Sequence, residues 1–209
     1  QSKIADISRI YEGVNKDNQE DQDWKPKNFS GNFKGLITLN DALKQSRNLA
    51  TINLLNSLGL DVVQRDLDSF GFKNIPSNLS IALGSFGVSL MDYSEQYSIF
   101  PGLGTRHETR LINFVENKNG KVFKFEPKSS EIIKPEQAYL MIKMLQDVVD
   151  SGTGRSAKTD GIELAGKTGT TNESVDAWFC GFGPEIQVLI WYGNDNNTPM
   201  RYVEGGSRT

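Results

Sequence analysis

The sequence predicts an α+β fold, with helices over most of the chain and an antiparallel β-sheet in its last third. Two observations predict this order. Apolar residues recur at helical spacing over 38–58 and 135–149, whereas 162–170, 176–183 and 186–193 have the character of β-strands. Because short connections join these three strands, we expect neighbouring strands to pair antiparallel. The 209 residues contain no internal repeat.

The composition is that of a globular domain, with 37% hydrophobic and 23% charged residues. The net charge of −3 argues against a nucleic-acid-binding protein, for which a basic face is typical. The one histidine, His107, excludes a zinc site built on several histidines, and the one cysteine, Cys180, excludes an intrachain disulfide. We therefore expect no metal, no cofactor and no nucleic acid among the partners.

The first helical stretch contains an interruption that divides it. Thr38, followed three residues later by Asp41, resembles a capping box and predicts the helix start, and Gly59 predicts a helix end. Between two apolar stripes, the polar residues Ser46-Arg47-Asn48 fall out of phase with the apolar spacing. This break predicts a bend between two helices within a helical region that spans 38–70.

Local cap and turn signals predict the remaining elements. These are helices at 61–70 (ended by Gly71), from Ser89 to about Phe100 and from Pro135 to Val149, a β-hairpin at 111–125 around Asn119-Gly120, and a turn at Gly152-Thr153-Gly154. Residues 79–90 have the character of buried loop or extended chain. The polar stretch 12–35 predicts a long surface loop, which we expect Trp24, Phe29 and Phe33 to anchor to the body.

The segment Lys167-Thr168-Gly169-Thr170 carries the chemistry of the last third. On a strand, Lys167 and Gly169 point to one face and Thr168 and Thr170 to the other. An edge strand can pair with an extended peptide, and Gly169 permits a close backbone approach. The two hydroxyls can bind a carboxylate, and the lysine supplies positive potential. The segment therefore fits an acyl substrate with an anionic end, although it also fits an exposed strand edge with a solubilising lysine.

Ser46-Arg47-Asn48 and Lys167-Thr168-Gly169 resemble the second and third motifs of the penicilloyl-serine transferases, whose signature is S-x-x-K, S-x-N and K-T-G. The flanking stretches resemble the transpeptidase domain of class A penicillin-binding proteins, in the order of that family. They are WKPKNFSGNFKGLITLNDALKQSRNLATINLLNSLG, LMIKMLQDVVDSGTGRSA and LAGKTGTTNESVDAWFCGFGPEIQVLIWYGND. The resemblance covers most of 24–209 and implies the fold shared by penicillin-binding proteins and serine β-lactamases, an antiparallel sheet flanked by helices.

The resemblance implies a D,D-transpeptidase that cross-links peptidoglycan stem peptides through an acyl-serine intermediate. It implies that Ser46 relays a proton to the leaving nitrogen, that Asn48 binds a substrate amide oxygen, and that Lys167 sets the potential and binds Ser46. Thr168 and Thr170 would hold the terminal carboxylate, and the Thr170 N–H would donate to the oxyanion. The implied ligands are a stem peptide ending in D-Ala-D-Ala and β-lactam antibiotics. The implied location is extracytoplasmic, with anchoring through an N-terminal segment outside these residues.

The nucleophilic serine of that reaction belongs to the S-x-x-K motif, which the sequence lacks. No serine of the sequence has a lysine three positions later. In the family, S-x-x-K precedes S-x-N by more than the 45 residues that lie before Ser46. We therefore expect 1–209 to be the C-terminal part of a single transpeptidase domain that is incomplete at both ends, is inactive alone, and has the upstream part of the same protein as its partner.

Two other functions fit the same residues. One is a D,D-carboxypeptidase or a β-lactamase on the same fold, which the flanks of Ser46-Arg47-Asn48 disfavour. The other is a sensor or scaffold domain without catalysis, which the retention of Ser46, Asn48, Lys167 and Thr170 disfavours.

Overall fold

A computed structural model describes residues 2–11, 23–201, 203 and 205. Within these residues the helices are α1 (Leu39–Lys44), α2 (Asn48–Leu58), α3 (Leu60–Phe70), α4 (Leu90–Tyr97) and α5 (Pro135–Ser151). The strands are β1 (Lys3–Asp6), β2 (Gly35–Thr38), β3 (Thr105–His107), β4 (Phe114–Glu116), β5 (Val122–Lys124), β6 (Ser129–Glu131), β7 (Ala165–Thr170), β8 (Asp176–Phe182) and β9 (Gln187–Gly193). Every described strand pair is antiparallel. The predicted α+β class is confirmed.

The predicted bend in the first helical stretch is confirmed. The Thr38 hydroxyl accepts the N–H of Asp41 at 3.0 Å and begins α1, as a capping residue should. The chain leaves α1 after Lys44 and re-enters helix at Asn48. Ser46 lies in the turn between them, with φ of 50°. The break in apolar spacing therefore marks the turn between α1 and α2, and this turn carries Ser46.

Other local signals are also confirmed. Gly71 ends α3 with φ of 102°, a conformation that favours glycine. The Ser89 hydroxyl accepts the N–H of Asp92 at 3.1 Å at the start of α4, which ends at Tyr97 rather than at Phe100. The hairpin of β4 and β5 turns through Gly120, whose φ is 72°.

The expectation for 79–90 is wrong. Residues Leu79–Leu83 form a 3₁₀ helix, and most of the segment that follows is exposed, although Ile81 is buried. The Asn78 side chain caps this helix by accepting the N–H of Ser80 at 3.0 Å. The Ser80 N–H therefore has a local partner in the Asn78 side chain. In an extended chain, this N–H would need a partner from a neighbouring strand.

The predicted surface loop at 12–35 is described only from residue 23 onwards, and 12–22 lie outside the described residues. Residues 23–34 have no helix or regular strand. Trp24 does contact the body, because its backbone exchanges hydrogen bonds of 2.9 and 3.0 Å with Tyr11 and the two rings lie 5.9 Å apart. Gly35 already belongs to β2.

The other two aromatic anchors of this loop were predicted wrongly. Phe29 is 84% exposed and Phe33 is 55% exposed. A polar residue anchors the segment instead, since Asn28 is buried and its amide donates to the Asp6 carboxylate at 2.7 Å. Two of the three aromatic side chains therefore lie at the surface, and the buried hydrogen bond between Asn28 and Asp6 holds the loop in place.

The sheet β7-β8-β9 packs one face against α4 and α5. A core cluster on this face comprises Tyr97, Leu145, Ala165, Cys180 and Phe182. The Tyr97 hydroxyl donates to the Cys180 carbonyl at 3.1 Å, which joins α4 to β8. Lys167 pairs with Cys180 in the register, so it shares this helix-covered face. In the described part of the chain, no helix has the length and hydropathy of a membrane span.

Candidate active site

Ser46 and Lys167 meet although 121 positions separate them. The Lys167 ammonium donates to the Ser46 hydroxyl at 2.8 Å and to the Thr168 carbonyl at 2.8 Å. Ser46 comes from the turn between α1 and α2, and Lys167 comes from the edge strand β7. The fold therefore joins the S-x-N and K-T-G sequences at one cleft wall.

The Ser46 backbone is held in a conformation that is uncommon for serine. Its φ of 50° lies in the left-handed region, which costs an L-residue about 1–2 kcal/mol. The turn is closed on both sides, because Ser46 N–H donates to Leu43 O at 3.0 Å and Arg47 N–H donates to Ala42 O at 2.9 Å. The strained turn directs the hydroxyl to Lys167.

Arg47, the middle residue of S-x-N, ties the turn to β1 and to the segment at 28–34. Its Nε and Nη2 atoms bind the Asp6 carboxylate at 2.8 and 2.6 Å, and both residues are buried. Nη1 donates to the Ser30 hydroxyl at 2.9 Å, and Asp6 accepts the Lys34 N–H at 3.0 Å. Because the charges are paired and hydrogen-bonded, burial is tolerated and the geometry is fixed. β1 and the segment at 28–34 thus position the turn.

Asn48 is the first residue of α2 and lies beside this turn. Its amide donates to the Lys27 carbonyl at 3.1 Å, whereas no hydrogen bond in the described part of the chain joins it to β7. The structure therefore brings Ser46 and Lys167 into direct contact, whereas the Asn48 side chain binds the loop at Lys27.

The two hydroxyls of the K-T-G strand each have a partner from a different segment. Thr168 Oγ1 donates to Thr153 Oγ1 at 2.8 Å, in the turn after α5. Thr170 Oγ1 accepts the Gly205 N–H at 3.0 Å. A Cβ at Gly205 would overlap the Gly169 carbonyl oxygen, so a glycine permits this approach. As an acceptor from Gly205, the Thr170 hydroxyl keeps its own hydrogen to donate to a ligand.

A cavity of about 630 Å³ lies beside β7. All four residues from Lys167 to Thr170 line it from the strand, with the aromatic residues Phe72, Tyr93 and Trp178. Ser46 and Asn48 do not line it. Lys167 therefore both lines this cavity and binds the Ser46 hydroxyl.

Burial changes the titration of Lys167. Desolvation lowers the pKa of its ammonium from 10.5 to about 8, and the neighbouring Cys180 opposes this shift. Desolvation also raises the pKa of the Cys180 thiol, to about 12, so the thiol stays neutral near pH 7. Lys167 is consequently charged at neutral pH, and it loses its charge as the pH rises through about 8, well below the pKa of an ordinary lysine.

Sequence reasoning missed three residues that shape this site: Asp6, Thr153 and Gly205. Thr153 belongs to the predicted Gly-Thr-Gly turn, so its place could be anticipated but not its contact with Thr168. Asp6 has no motif around it, and its role depends on an ion pair with a residue 41 positions away.

Comparison with known proteins identifies relatives of the chain. Residues 7–209 match the family model of the penicillin binding protein transpeptidase domain. Penicillin-binding protein 1A of Neisseria meningitidis serogroup A is 37% identical over 192 residues, which are 88% of this chain and 24% of that protein. The chain spans about a quarter of the length of the curated relatives it matches.

Solved structures share the fold. Penicillin-Binding Protein 1A from Haemophilus influenzae gives a TM-score of 0.87 at 25% identity, over 98% of this chain and 36% of that chain. PonA1 from Mycobacterium tuberculosis gives a TM-score of 0.80 at 20% identity, over 99% and 59% of the two chains. The resemblance to the transpeptidase domain of class A penicillin-binding proteins is confirmed. The chain belongs to the penicillin-binding protein transpeptidase domain family.

Proposed function

We propose that the intact protein is a serine-type D,D-transpeptidase that cross-links peptidoglycan stem peptides and binds β-lactams, and that this chain forms one wall of its acyl-transfer site. The observation that carries the proposal is the hydrogen bond of 2.8 Å between Lys167 Nζ and Ser46 Oγ. It supports a shared reaction centre because it joins the two motifs that the family uses for proton transfer and anion binding.

The reaction has two steps. A serine oxygen attacks the carbonyl carbon of the penultimate D-Ala, an ester forms, and the terminal D-Ala leaves as its amine. An amine of a neighbouring stem peptide then attacks the ester and releases the serine. In the first step the leaving nitrogen needs a proton, which Ser46 donates, and the proton that the attacking serine loses passes through the lysine of its S-x-x-K motif to restore the Ser46 hydroxyl. Lys167 donates to the Ser46 oxygen, so the serine hydrogen is directed away from the lysine and towards the substrate.

The terminal carboxylate of the substrate binds at the end of β7. The hydroxyls of Thr168 and Thr170 provide donors, and the charge of Lys167 provides positive potential. The Thr170 N–H serves as one oxyanion-hole donor, an interaction whose loss typically costs ~3–4 kcal/mol of transition-state stabilisation. The side-chain amide of Asn48 gives up its hydrogen bond to the Lys27 carbonyl and donates instead to an amide oxygen of the stem peptide.

The attacking serine comes from outside these residues. No serine of the sequence has the lysine at the third following position that would activate it. We assign the nucleophile to an S-x-x-K segment in the upstream part of the same protein. Because peptidoglycan lies outside the cytoplasm, the domain acts there, and a segment beyond these residues anchors it to the membrane.

Deacylation separates this function from a β-lactamase and from a scaffold domain without catalysis. The experiment incubates the intact protein with a fluorescent penicillin and follows the covalent band after the free drug is removed. A transpeptidase retains the acyl group over many minutes. A β-lactamase releases it and hydrolyses the drug, and a scaffold domain gives no covalent band; either result would overturn the proposal.

A further inference from the structure

We propose that Thr153 is a positioning residue of the carboxylate site: it orients the Thr168 hydroxyl towards an anionic ligand and ties it to the turn that carries Ser46. The inference rests on the proposed function, because it assumes that Thr168 binds the ligand carboxylate. It adds a residue from the Gly152-Thr153-Gly154 turn, which the motifs of the family signature do not include.

The Gly-Thr-Gly turn contacts both β7 and the end of α1. On one side, Thr153 Oγ1 accepts a hydrogen bond from Thr168 Oγ1 at 2.8 Å. On the other side, the Thr153 N–H donates to the Lys44 carbonyl at 3.2 Å, at the end of α1 and two residues before Ser46. A Cβ at Gly152 would overlap the Lys44 oxygen, so the close approach to α1 needs a glycine.

The turn is itself anchored in the core. The N–H groups of Gly152 and Gly154 both donate to the Val148 carbonyl, at 3.0 and 3.1 Å. Val148 is fully buried in α5, and α5 packs against β7. Thr153 therefore has a fixed position, whereas a hydroxyl on a mobile surface segment would not.

The hydrogen bond between the Thr168 and Thr153 hydroxyls can reverse its direction when a ligand binds. A hydroxyl has one hydrogen to donate, and without ligand Thr168 gives it to Thr153. A carboxylate only accepts, so Thr168 must turn its hydrogen to the ligand when the anion binds. Thr153 can then donate to the Thr168 oxygen over the same oxygen–oxygen distance. Two hydroxyls in series polarise each other and strengthen the bond to the anion.

The test measures acylation of the intact protein by a labelled penicillin as a function of drug concentration. Thr153→Val keeps the shape and removes the hydroxyl, and we expect it to weaken drug binding about three- to tenfold with little change in the limiting acylation rate. Thr153→Ser keeps a hydroxyl and should recover most of the affinity. Thr159→Val, the same change at an exposed threonine whose hydroxyl donates to Ala157 O, is the matched control.

A double-mutant cycle and a neutral ligand separate positioning from structural damage. In the Thr168→Val background, Thr153→Val should have almost no further effect, because its partner hydroxyl is gone. With a penicillin ester, which lacks the carboxylate, wild type and Thr153→Val should bind equally. If Thr153→Val does not fold, Thr153→Ala replaces it in both measurements.

Three results would overturn the inference: an unchanged affinity in Thr153→Val, equal losses for the acid and the ester, or additive effects of Thr153→Val and Thr168→Val. Failure of the proposed function has a different signature, since wild-type protein would then give no covalent band with the penicillin.

Discussion

Asp6 and Arg47 form an ion pair of 2.6 Å directly behind the turn that carries Ser46. Both side chains are buried, and the pair joins β1 to the middle of the S-x-N sequence. Removing one partner would leave an uncompensated buried charge, which is the costly way to break such a pair. The stability of the fold and the position of Ser46 therefore depend on the same contact.

Asp6→Asn should destabilise the intact protein by about 3–5 kcal/mol, because Arg47 would keep its charge without a counter-ion. Urea unfolding of the intact protein measures the change. The matched control is Asp68→Asn, which removes an exposed pair with Lys73 and should cost less than about 1 kcal/mol. Equal losses in the two variants would show that the buried pair has no special role.

Ser46→Gly and Ser46→Ala should differ in stability although both lack the hydroxyl. Glycine adopts the left-handed φ of residue 46 without strain, whereas alanine retains the strain. We expect the glycine variant to be more stable than the alanine variant by about 1 kcal/mol, and both to be acylated slowly by penicillin. Thermal unfolding and labelling kinetics check the two statements. An alanine variant as stable as the glycine variant would contradict the strained turn.

The local parts of the fold could be predicted from the sequence because they depend on neighbours in the chain. Thr38 and Ser89 start helices, Gly71 ends one, and Ser46-Arg47-Asn48 interrupts the apolar spacing; each signal acts within a few residues. The K-T-G strand could be placed for the same reason.

Contacts between distant segments could not be predicted. Phe29 and Phe33 were expected to anchor the loop to the body, but both are exposed, because burial depends on which surface the loop meets and not on the side chain alone. Asp6 looks like any surface carboxylate until β1 brings it to Arg47. Thr153 needs α5 to carry it to Thr168.

The pH dependence of acylation should report Lys167. Its pKa is about 8, so the ammonium is charged below that pH and neutral above it. If the charge attracts the drug carboxylate, the acylation rate should fall about tenfold between about pH 7 and pH 9. Lys167→Arg stays charged over this range, and its rate, although lower, should not fall in the same way. Parallel falls in both proteins would assign the titration to another group.

Thr170→Val should slow acylation by penicillin roughly ten- to hundredfold, because a hydrogen bond to a charged group contributes ~1.5–3 kcal/mol. Valine keeps the β-branched shape, and the Gly205 N–H would lose its acceptor. Thr170→Ser restores a hydroxyl and should recover much of the rate. An unchanged rate in Thr170→Val would exclude the hydroxyl as a ligand.

The most direct test of the central claim locates the acyl group. The intact protein is labelled with penicillin, digested, and the modified serine is identified by mass spectrometry, in wild type and in Lys167→Ala. We predict an adduct on a serine of an S-x-x-K motif outside residues 1–209, formed at least about tenfold more slowly in the variant, which loses a charged hydrogen bond to Ser46. An adduct on any serine within 1–209, or an unchanged rate in Lys167→Ala, would contradict the account.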